Sequence, residues 1–383
     1  MQDDTVKKVL NLGFIGGGLS SAVGQVHYNA SRLDGRWNLY CGAFSRNAEV
    51  NQATSDKWHV DSSRVYSNWQ EMVDAESDNL DAIAVLTPTP EHADIVAYLL
   101  DRNINVICEK ALAIDLNEAY LLQKKLETSS SFLAVTYNYS GYPMVRELRE
   151  IIKGGKLGKI QQIHFEMPQE GFVRPPDIAG KKAAPQSWRL NDTKVPMIAF
   201  DLGAHLNHLA LFLTGNKPQR VFADFSNYSE YEGVTDNIMM LLDYEQGMKG
   251  TYWISKTTIG NRNGMKLRLY GSNGTAEWTQ INPEELKISY IDGTNTTVDR
   301  GSSNLISGEQ RYNRMKPGHP SGFIEAFSNL YDDIANALDA HRNKRAHENP
   351  YVYGIDHSLI DLQVFTAACV SNDKGVWVDL DDV

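Results

Sequence analysis

An apolar run that breaks directly into three glycines constrains the fold of this chain more than any other feature. Residues 10–24 read LNLGFIGGGLSSAVG, in which Leu10–Ile15 predicts a buried strand and Ser20–Leu33 predicts the helix that follows. A glycine turn between a strand and a helix lets backbone N–H groups reach a pyrophosphate at the helix N-terminus. We therefore expect Gly16 to make the tight turn and Gly18 to allow the close approach.

The glycine pattern is incomplete, because Ser21 stands where G-x-G-x-x-G has its third glycine. We expect Gly24 to serve the packing of helix on strand instead, with a slightly longer turn. An ordinary tight turn explains an isolated glycine cluster equally well, so the interpretation depends on the rest of the chain.

Length, charge and cysteine content narrow the class of protein. The 383 residues suffice for two domains, each with its own core, and the net charge of −11 argues against nucleic acid or an anionic membrane as a partner. Cys41 and Cys108 lie in apolar runs, which favours buried free thiols and a reducing compartment. Because the chain shows no signal-peptide core and no apolar run of membrane-spanning length, we expect a cytoplasmic location.

Strand and helix alternate through the first ~135 residues, which predicts an α/β domain with a doubly wound parallel sheet of the Rossmann type. The expected strands are Leu10–Ile15, Asn38–Phe44, Leu80–Leu86, Asn105–Cys108 and Phe132–Val135. Residues 1–137 are thus expected to form one domain that binds a dinucleotide.

The pattern changes after Asn138. A helix is expected at Ile198–Leu213, and alternating apolar and polar residues between Arg220 and Val298 predict a large, mostly antiparallel open sheet. Residues 138–383 are therefore expected to form an α+β domain for substrate binding and oligomerisation, whose C-terminal helix packs back on the first domain.

Specific motifs follow the predicted strands. Glu109-Lys110 comes directly after the strand that ends at Cys108, and Thr87-Pro88 with His92 leaves the preceding strand in the same manner. Together with the glycine turn, these motifs resemble the Gfo/Idh/MocA family of nicotinamide-dependent oxidoreductases. The family's E-K-P motif here reads E-K-A, with Ala111 in place of proline.

The resemblance continues into the second domain. Tyr137-Asn138-Tyr139 through Pro143 is similar to the family's N-Y-R-x-x-P segment, and Asp201-Leu202-Gly203-Ala204-His205 matches its D-x-G-x-H motif. Gly318-His319-Pro320 resembles a further family segment. The family's usual aspartate three residues after the histidine is replaced by His208, which we expect to pack or bond within the helix interface.

The resemblance implies the catalytic residues. His205 is the usual proton acceptor in the family, and imidazole titrates near neutral pH. Asp201 lies one helical turn earlier and either orients the imidazole or binds a substrate hydroxyl. Lys110 contributes positive charge and a donor at the reacting oxygen.

Further contacts are expected on both ligands. Coenzyme contacts are expected from Gly16, Gly18, Leu19, Ser20, Ser45, Arg46, Thr87, Pro88, His92, Glu109, Lys110, Trp188 and Arg189. Substrate contacts are expected from Lys110, Tyr137, Asn138, Tyr142, Asp201, His205 and His319, and tyrosine offers sugars both an apolar face and a donor.

The loop after the second strand bears on the choice of coenzyme. An NAD-specific enzyme often has an acidic residue there for the ribose hydroxyls, whereas this chain has Ser45 and Arg46. A hydroxyl and a guanidinium suit a 2′-phosphate, although Arg46 is also able to stack on adenine and accept either coenzyme. We favour NADP(H) over NAD(H).

A metal site is the competing interpretation of Asp201, His205 and His208, which share a helix face. No fourth ligand follows from the sequence and the resemblance requires none, so we expect no metal.

The predicted function is hydride transfer between NAD(P) and a secondary alcohol or ketone of a sugar, sugar derivative or cyclic polyol. The alternatives are an NAD-dependent glycoside hydrolase that oxidises its substrate transiently, and a non-catalytic nucleotide or sugar sensor. The resemblance also implies a homodimer or homotetramer.

Overall fold

A computed structural model describes residues 8–176, 178, 180, 184–345 and 349–383. By its contacts, the described chain divides into two compact units, each of which is described below by itself. The first unit comprises the chain up to Ala113 with Asn117–Gly141 and Gly322–Asp356, and the second comprises most of the remainder.

The first unit contains a parallel sheet. Its elements are β1 (Leu10–Gly16), α1 (Ala22–Leu33), β2 (Trp37–Ala43), α2 (Ala48–Trp58), α3 (Trp69–Glu76), β3 (Ala82–Leu86), α4 (His92–Leu100), β4 (Val106–Cys108), α5 (Leu116–Thr128) and β5 (Leu133–Val135). Within the described ranges the five strands lie in the order β2-β1-β3-β4-β5, and each neighbouring pair is parallel. The predicted doubly wound sheet is confirmed.

The strand order reverses between β1 and β3, because β2 lies on one side of β1 and β3 on the other. In sheets of this kind, ligands bind outside the carboxyl ends of the strands at such a switch point. The glycine turn follows β1 and Thr87 follows β3, so both lie at this position.

The second unit contains an antiparallel sheet with one parallel pair. Its elements begin with α6 (Pro143–Lys153), β6 (Ile160–Pro168), α7 (Ala204–Thr214), β7 (Pro218–Ser226), β8 (Asn237–Tyr244), β9 (Lys249–Ser255), β10 (Lys266–Gly271), β11 (Gly274–Thr279), β12 (Asn282–Tyr290) and β13 (Asn295–Val298). The chain closes with α8 (Phe323–Arg342), which belongs to the first unit, then α9 (Ile355–Lys374) and β14 (Val378–Asp379).

Nine strands of the described chain lie in the order β13-β12-β11-β10-β6-β9-β8-β7-β14. Neighbours are antiparallel except β6 and β9, which run parallel. The expected open, mostly antiparallel sheet is confirmed. The parallel pair brings the carboxyl ends of β6 and β9 to the same edge of the sheet.

The helix predicted at Ile198–Leu213 differs in its first turn. Residues Ala199–Gly203 are π-helical, and the regular helix α7 begins only at Ala204. A π-helical turn holds about one residue more than an α-helical turn, and such turns are frequent at functional sites. Asp201 lies inside this turn, so its side chain is not related to His205 by ordinary α-helical spacing.

Helix α8 supplies part of the core of the first unit. Its Phe327, Tyr331 and Ile334 are buried in one apolar cluster with residues of β1, β2 and β3. Burial of such side chains contributes about 1.5–3 kcal/mol each relative to exposure.

No helix among the described residues combines the length and the hydropathy needed to span a bilayer.

Candidate active site

The turn after β1 has the conformation that glycine permits. Gly16 and Gly17 have φ angles of +79° and +73°, a backbone conformation that residues with a Cβ rarely adopt. A Cβ added to Gly16 would lie 2.9 Å from the backbone nitrogen of Thr87. Gly16 therefore makes the tight turn, as predicted, and allows β1 and the loop after β3 to approach closely.

Gly24 is needed for packing of the helix on this turn. A Cβ there would lie only 1.6 Å from the carbonyl oxygen of Gly17, so no larger residue fits without a backbone shift. The prediction that Gly24 serves helix packing is confirmed. The Gly18 N–H donates to the carbonyl oxygen of Phe44 at 3.1 Å, and a Cβ on Gly18 would lie 3.0 Å from that oxygen.

The N-terminus of α1 is suited to an anion. Ser21 is the N-cap, and its hydroxyl accepts from the Gly24 N–H at 3.3 Å. The Leu19 N–H donates to Thr54 Oγ1 at 3.1 Å, and Ser20 is exposed beside it. The first turn of α1 holds no acidic residue, so the partial positive charge of this helix end is not neutralised within that turn.

The loop after β2 exposes the residues that bear on coenzyme choice. Asn51 Oδ1 accepts from the backbone N–H groups of Phe44 and Ser45 at 2.9 and 3.3 Å, which fixes the path of the loop. The guanidinium of Arg46 is 89% exposed and lies 3.3 Å from Glu91 Oε1. Arg46 is thereby directed toward the loop that carries Thr87 and Pro88.

His92 connects the loops that follow β3 and β4. Its Nε2 lies 2.8 Å from the carbonyl oxygen of Thr87, and its Nδ1 lies 2.7 Å from that of Ala111. Burial lowers the pKa of His92 despite these two carbonyls. The ring holds the two loops together, next to the cis peptide bond between Lys110 and Ala111. Its expected contact with the coenzyme stays a prediction.

Glu109 is turned toward the protein interior. Its Oε1 lies 2.9 Å from His27 Nε2 and also accepts a hydrogen bond from Thr136. His27 Nδ1 lies 2.6 Å from the hydroxyl of Tyr331 in α8. Burial alone would raise the pKa of Glu109. The hydrogen bond and charge of His27 and the charge of the nearby Lys110 lower this pKa by a larger amount, so the net shift is downward. The carboxylate is therefore held ionised beside Lys110.

In the second unit, Asp201 is held by two cations. Arg189 donates through Nε to Oδ2 at 3.2 Å and through Nη2 to Oδ1 at 3.4 Å. Lys256 Nζ lies 2.7 Å from Oδ2. The guanidinium of Arg189 also stacks on Trp188, with 4.5 Å between the guanidinium carbon and the ring centroid. The structure thus brings together the predicted residues Trp188, Arg189 and Asp201.

Sequence reasoning did not identify Lys256, which directly follows the alternating strand GTYWIS. A polar residue at the end of a central strand is the signal that was available. His27 and Tyr331 were missed for a different reason, because their partners lie far away along the chain.

His205 is buried in the first turn of α7, four residues after Asp201. His208, one turn further on, lies with its Nδ1 3.0 Å from Nδ1 of His357 in α9. Burial and the neighbouring charges lower the pKa of His208 well below its ordinary value, and burial with Arg149 lowers that of His357 to about 4. His208 therefore packs as a neutral ring in the helix interface, as expected. Within the described ranges no group of three or more side chains is arranged to hold a metal ion.

The remaining predicted substrate residues differ in exposure. Tyr137 and Asn138 are buried in the first unit. In the second unit, Tyr142 packs on Trp278 with ring centroids 5.1 Å apart. His319 is exposed, and its carbonyl oxygen accepts from Arg300 at 2.9 Å. Their roles toward a substrate stay predictions.

Comparisons with known proteins agree with both units. Residues 10–137 match the model of an oxidoreductase family with an NAD-binding Rossmann fold, and residues 145–277 match the model of the GFO/IDH/MocA C-terminal domain. The chain is 29% identical to the uncharacterized oxidoreductase YfiI of Bacillus subtilis, with 98% of both chains covered.

Two solved structures are similar over almost the whole chain. An oxidoreductase from Sinorhizobium meliloti is 31% identical, with a TM-score of 0.83, 97% of this chain and 100% of that chain covered. An inositol dehydrogenase homolog from Azotobacter vinelandii, complexed with NADH and myo-inositol, is 26% identical, with a TM-score of 0.88 and coverage of 97% and 98%.

Proposed function

The chain belongs to the Gfo/Idh/MocA family of oxidoreductases, and from this we propose that it transfers a hydride between a nicotinamide coenzyme and a secondary alcohol or ketone of a sugar, sugar derivative or cyclic polyol. The observation that carries the proposal is the glycine turn at the β1/β3 switch point. Gly24 of α1 packs so closely on this turn that a Cβ there would lie 1.6 Å from the carbonyl oxygen of Gly17. The bound myo-inositol and NADH of the Azotobacter homolog support the substrate class.

The residues of the first unit fit a dinucleotide. The turn at Gly16 and Gly17, the exposed Ser20 and the N-terminus of α1 would hold the pyrophosphate. The hydroxyl of Thr87 is buried, and no described residue donates to it or accepts from it, so a ligand hydroxyl would satisfy it. When bound, the nicotinamide accepts or donates the hydride.

The protein residues handle the proton. His205 takes the proton of the substrate hydroxyl during oxidation and returns it during reduction. Lys110 donates to the reacting oxygen and stabilises its developing negative charge. Asp201, ionised between Arg189 and Lys256, orients the imidazole or accepts from a substrate hydroxyl.

We further propose NADP(H) as the preferred coenzyme. No acidic side chain lies between the end of β2 and the start of α2, and Ser45 and Arg46 offer a hydroxyl and a guanidinium at this position. A 2′-phosphate is recognised by such groups.

Two other properties are proposed. The described chain leaves Met239 and Leu241 of β8 exposed on the outer face of the nine-stranded sheet, and we propose that a second copy covers this face in a homodimer or homotetramer. A cytoplasmic location is supported by the cysteines Cys41, Cys108 and Cys369, which are free thiols throughout the described residues.

The test replaces the proton-handling groups. A panel of sugars and cyclitols is screened with both coenzymes, and the best substrate is then used with Lys110→Met and His205→Ala. We expect turnover to fall at least ~100-fold in each variant while coenzyme binding, followed by fluorescence of the reduced form, is retained. Lys124→Met, an exposed lysine of α5, serves as the matched control. Unchanged turnover in both variants would overturn the assignment.

A further inference from the structure

His27 lies in the middle of α1 with its side chain fully buried, and both of its ring nitrogens have partners in the first unit. Nε2 lies 2.9 Å from Glu109 Oε1, and Nδ1 lies 2.6 Å from the hydroxyl of Tyr331. We propose that His27 is a positioning residue for the reaction, which acts on Lys110 by fixing Glu109 directly before it in the chain. This inference rests on the proposed function.

The ring of His27 has a fixed position and orientation. Phe327 and Tyr331 of α8 pack edge-on against it, with ring centroids 4.9 and 5.6 Å away. Tyr331 is itself held, because the indole Nε1 of Trp37 donates to its backbone carbonyl at 3.0 Å. Burial, together with the charge of Glu109, raises the pKa of Tyr331 well above its ordinary value, so its hydroxyl keeps its proton. The ring therefore presents Nε2 to Glu109 from one defined direction.

Glu109 carries a charge although it is only 7% exposed. Because an ionised carboxylate only accepts, His27 Nε2 donates to its Oε1, and the Thr136 hydroxyl donates to the same oxygen. The backbone N–H of Glu109 donates to the carbonyl oxygen of Val85 in β3 at 3.0 Å. Helix α1, strand β3 and the segment after β5 thus all hold the residue that follows β4.

The loop after β4 is held on both sides of Lys110. Glu109 is fixed before it, and the carbonyl oxygen of Ala111 after it lies 2.7 Å from His92 Nδ1. These two anchors act through the backbone that the three residues share, so they fix the point from which the Lys110 side chain extends. Reaction rates depend steeply on the position of such a donor, because the reacting atoms must be closely aligned.

Without the imidazole, the buried carboxylate loses a donor. A hydrogen bond to the charged form of a carboxyl group lowers its pKa, so the loss of this bond raises the pKa of Glu109. Lys110 supplies a positive charge nearby. Burial raises the pKa of Cys108 and Tyr331 and lowers that of His92, so these three groups stay neutral near neutral pH. A shift in the pH dependence of turnover would therefore report protonation of Glu109.

The substitution His27→Phe removes the donor and keeps an aromatic ring, His27→Gln restores an N–H donor of similar reach, and His341→Phe is the matched control. His341 is an exposed histidine of α8 whose Nε2 lies 2.9 Å from the carbonyl oxygen of Ser130. We expect His27→Phe to lower kcat for the best polyol at least ~10-fold and to move the acid limb of the kcat profile up by about one pH unit. His27→Gln is expected to bring kcat to within ~3-fold of wild type.

A purely structural role gives a different result. It would lower the melting temperature and the fraction of active protein in His27→Phe, while kcat per active site and its acid limb stay as in wild type. If this variant is insoluble, Tyr331→Phe is measured instead, since it removes only the hydroxyl on Nδ1. It is expected to lower kcat at least ~3-fold and to shift the limb in the same direction. An unchanged kcat and acid limb in a folded variant overturn the inference alone, whereas a wild-type chain that turns over no polyol overturns the proposed function and this inference together.

Discussion

Arg46 lies after β2, where a dinucleotide fold meets the ribose that distinguishes the two coenzymes. Its only described ion pair, with Glu91, joins side chains that are 89% and 38% exposed. Exposed pairs of this kind contribute about 0–1 kcal/mol, so a phosphate displaces Glu91 at little cost. The guanidinium is therefore available to a 2′-phosphate without a rearrangement of the loop.

Replacement of Arg46 by alanine tests the coenzyme preference. The loss of a charge-assisted hydrogen bond to phosphate is expected to lower kcat/KM for NADP at least about tenfold. The value for NAD is expected to change less than about threefold, because NAD lacks the phosphate. Steady-state kinetics with both coenzymes measure this, with Arg102→Ala as the control. An equal loss with both coenzymes would indicate stacking on adenine instead.

Single residues also show what the sequence was able to predict. Glu109 and Lys110 were found because they follow a recognisable strand, whereas His27 was not, since its partners Glu109 and Tyr331 are 82 and 304 positions away. Lys256 and Asp201 are 55 positions apart, with α7 and the strands β7, β8 and β9 between them along the chain. Local patterns determine where a residue lies on its element, but only the assembled strands determine which side chain it contacts.

Helices α7 and α9 meet through two histidines that are neutral in the folded protein. Burial with Arg149 lowers the pKa of His357 to about 4 from an ordinary 6.5, and that of His208 is lowered as well. The unfolded chain therefore binds more protons than the folded chain between these two values. The stability that the neutral histidines contribute is fully present above about pH 6.5, and it is lost as the pH falls toward 4.

Acid unfolding is expected to depend on this pair. For His357 alone, linkage predicts that the free energy of unfolding falls by about 2 kcal/mol between pH 7 and pH 5. The substitution His357→Phe is expected to reduce this pH dependence, and urea unfolding at the two pH values measures it. His319→Ala, which removes an exposed histidine, is expected to leave the difference unchanged. Identical pH dependence in His357→Phe and wild type contradicts the interpretation.

The elements were predicted well where a pattern is regular and poorly where it changes. The strand expected at Leu10–Ile15 is observed at Leu10–Gly16, one residue longer. The π-helical turn Ala199–Gly203 had no such signal. An inserted residue in a helix is stabilised by its surroundings, and apolar spacing does not reveal it.

At the scale of the whole molecule, the nine-stranded sheet has apolar residues on both faces. Ile238, Met240 and Leu242 of β8 are buried, while Met239 and Leu241 between them are 56% and 47% exposed. The register places Phe222 opposite Leu241 and Trp253 opposite Met239, so these four side chains share the outer face. Such a surface is typical of a contact between protein chains.

A charge on this face is expected to prevent association. Leu241→Lys would place an ammonium group in the proposed interface, where its desolvation is unfavourable. Analytical ultracentrifugation is expected to show a monomer for this variant and a dimer or tetramer for wild type. Ile281→Lys changes an isoleucine that is 90% exposed in the turn between β11 and β12, and it is expected to leave the mass of the assembly unchanged. A monomeric wild-type chain contradicts the proposed oligomer.

Helix α8 has a consequence for the order in which the two units fold during synthesis. The first unit draws Phe327, Tyr331 and Ile334 into its core, and Tyr331 is a partner of His27. Until these residues leave the ribosome, the nascent nucleotide-binding unit lacks one wall. The first unit therefore stays partly folded while the intervening β-strands are synthesised. A fragment that stops near position 137 would be left permanently in that state, and a circular permutant that joins α8 directly to β5 would escape the delay.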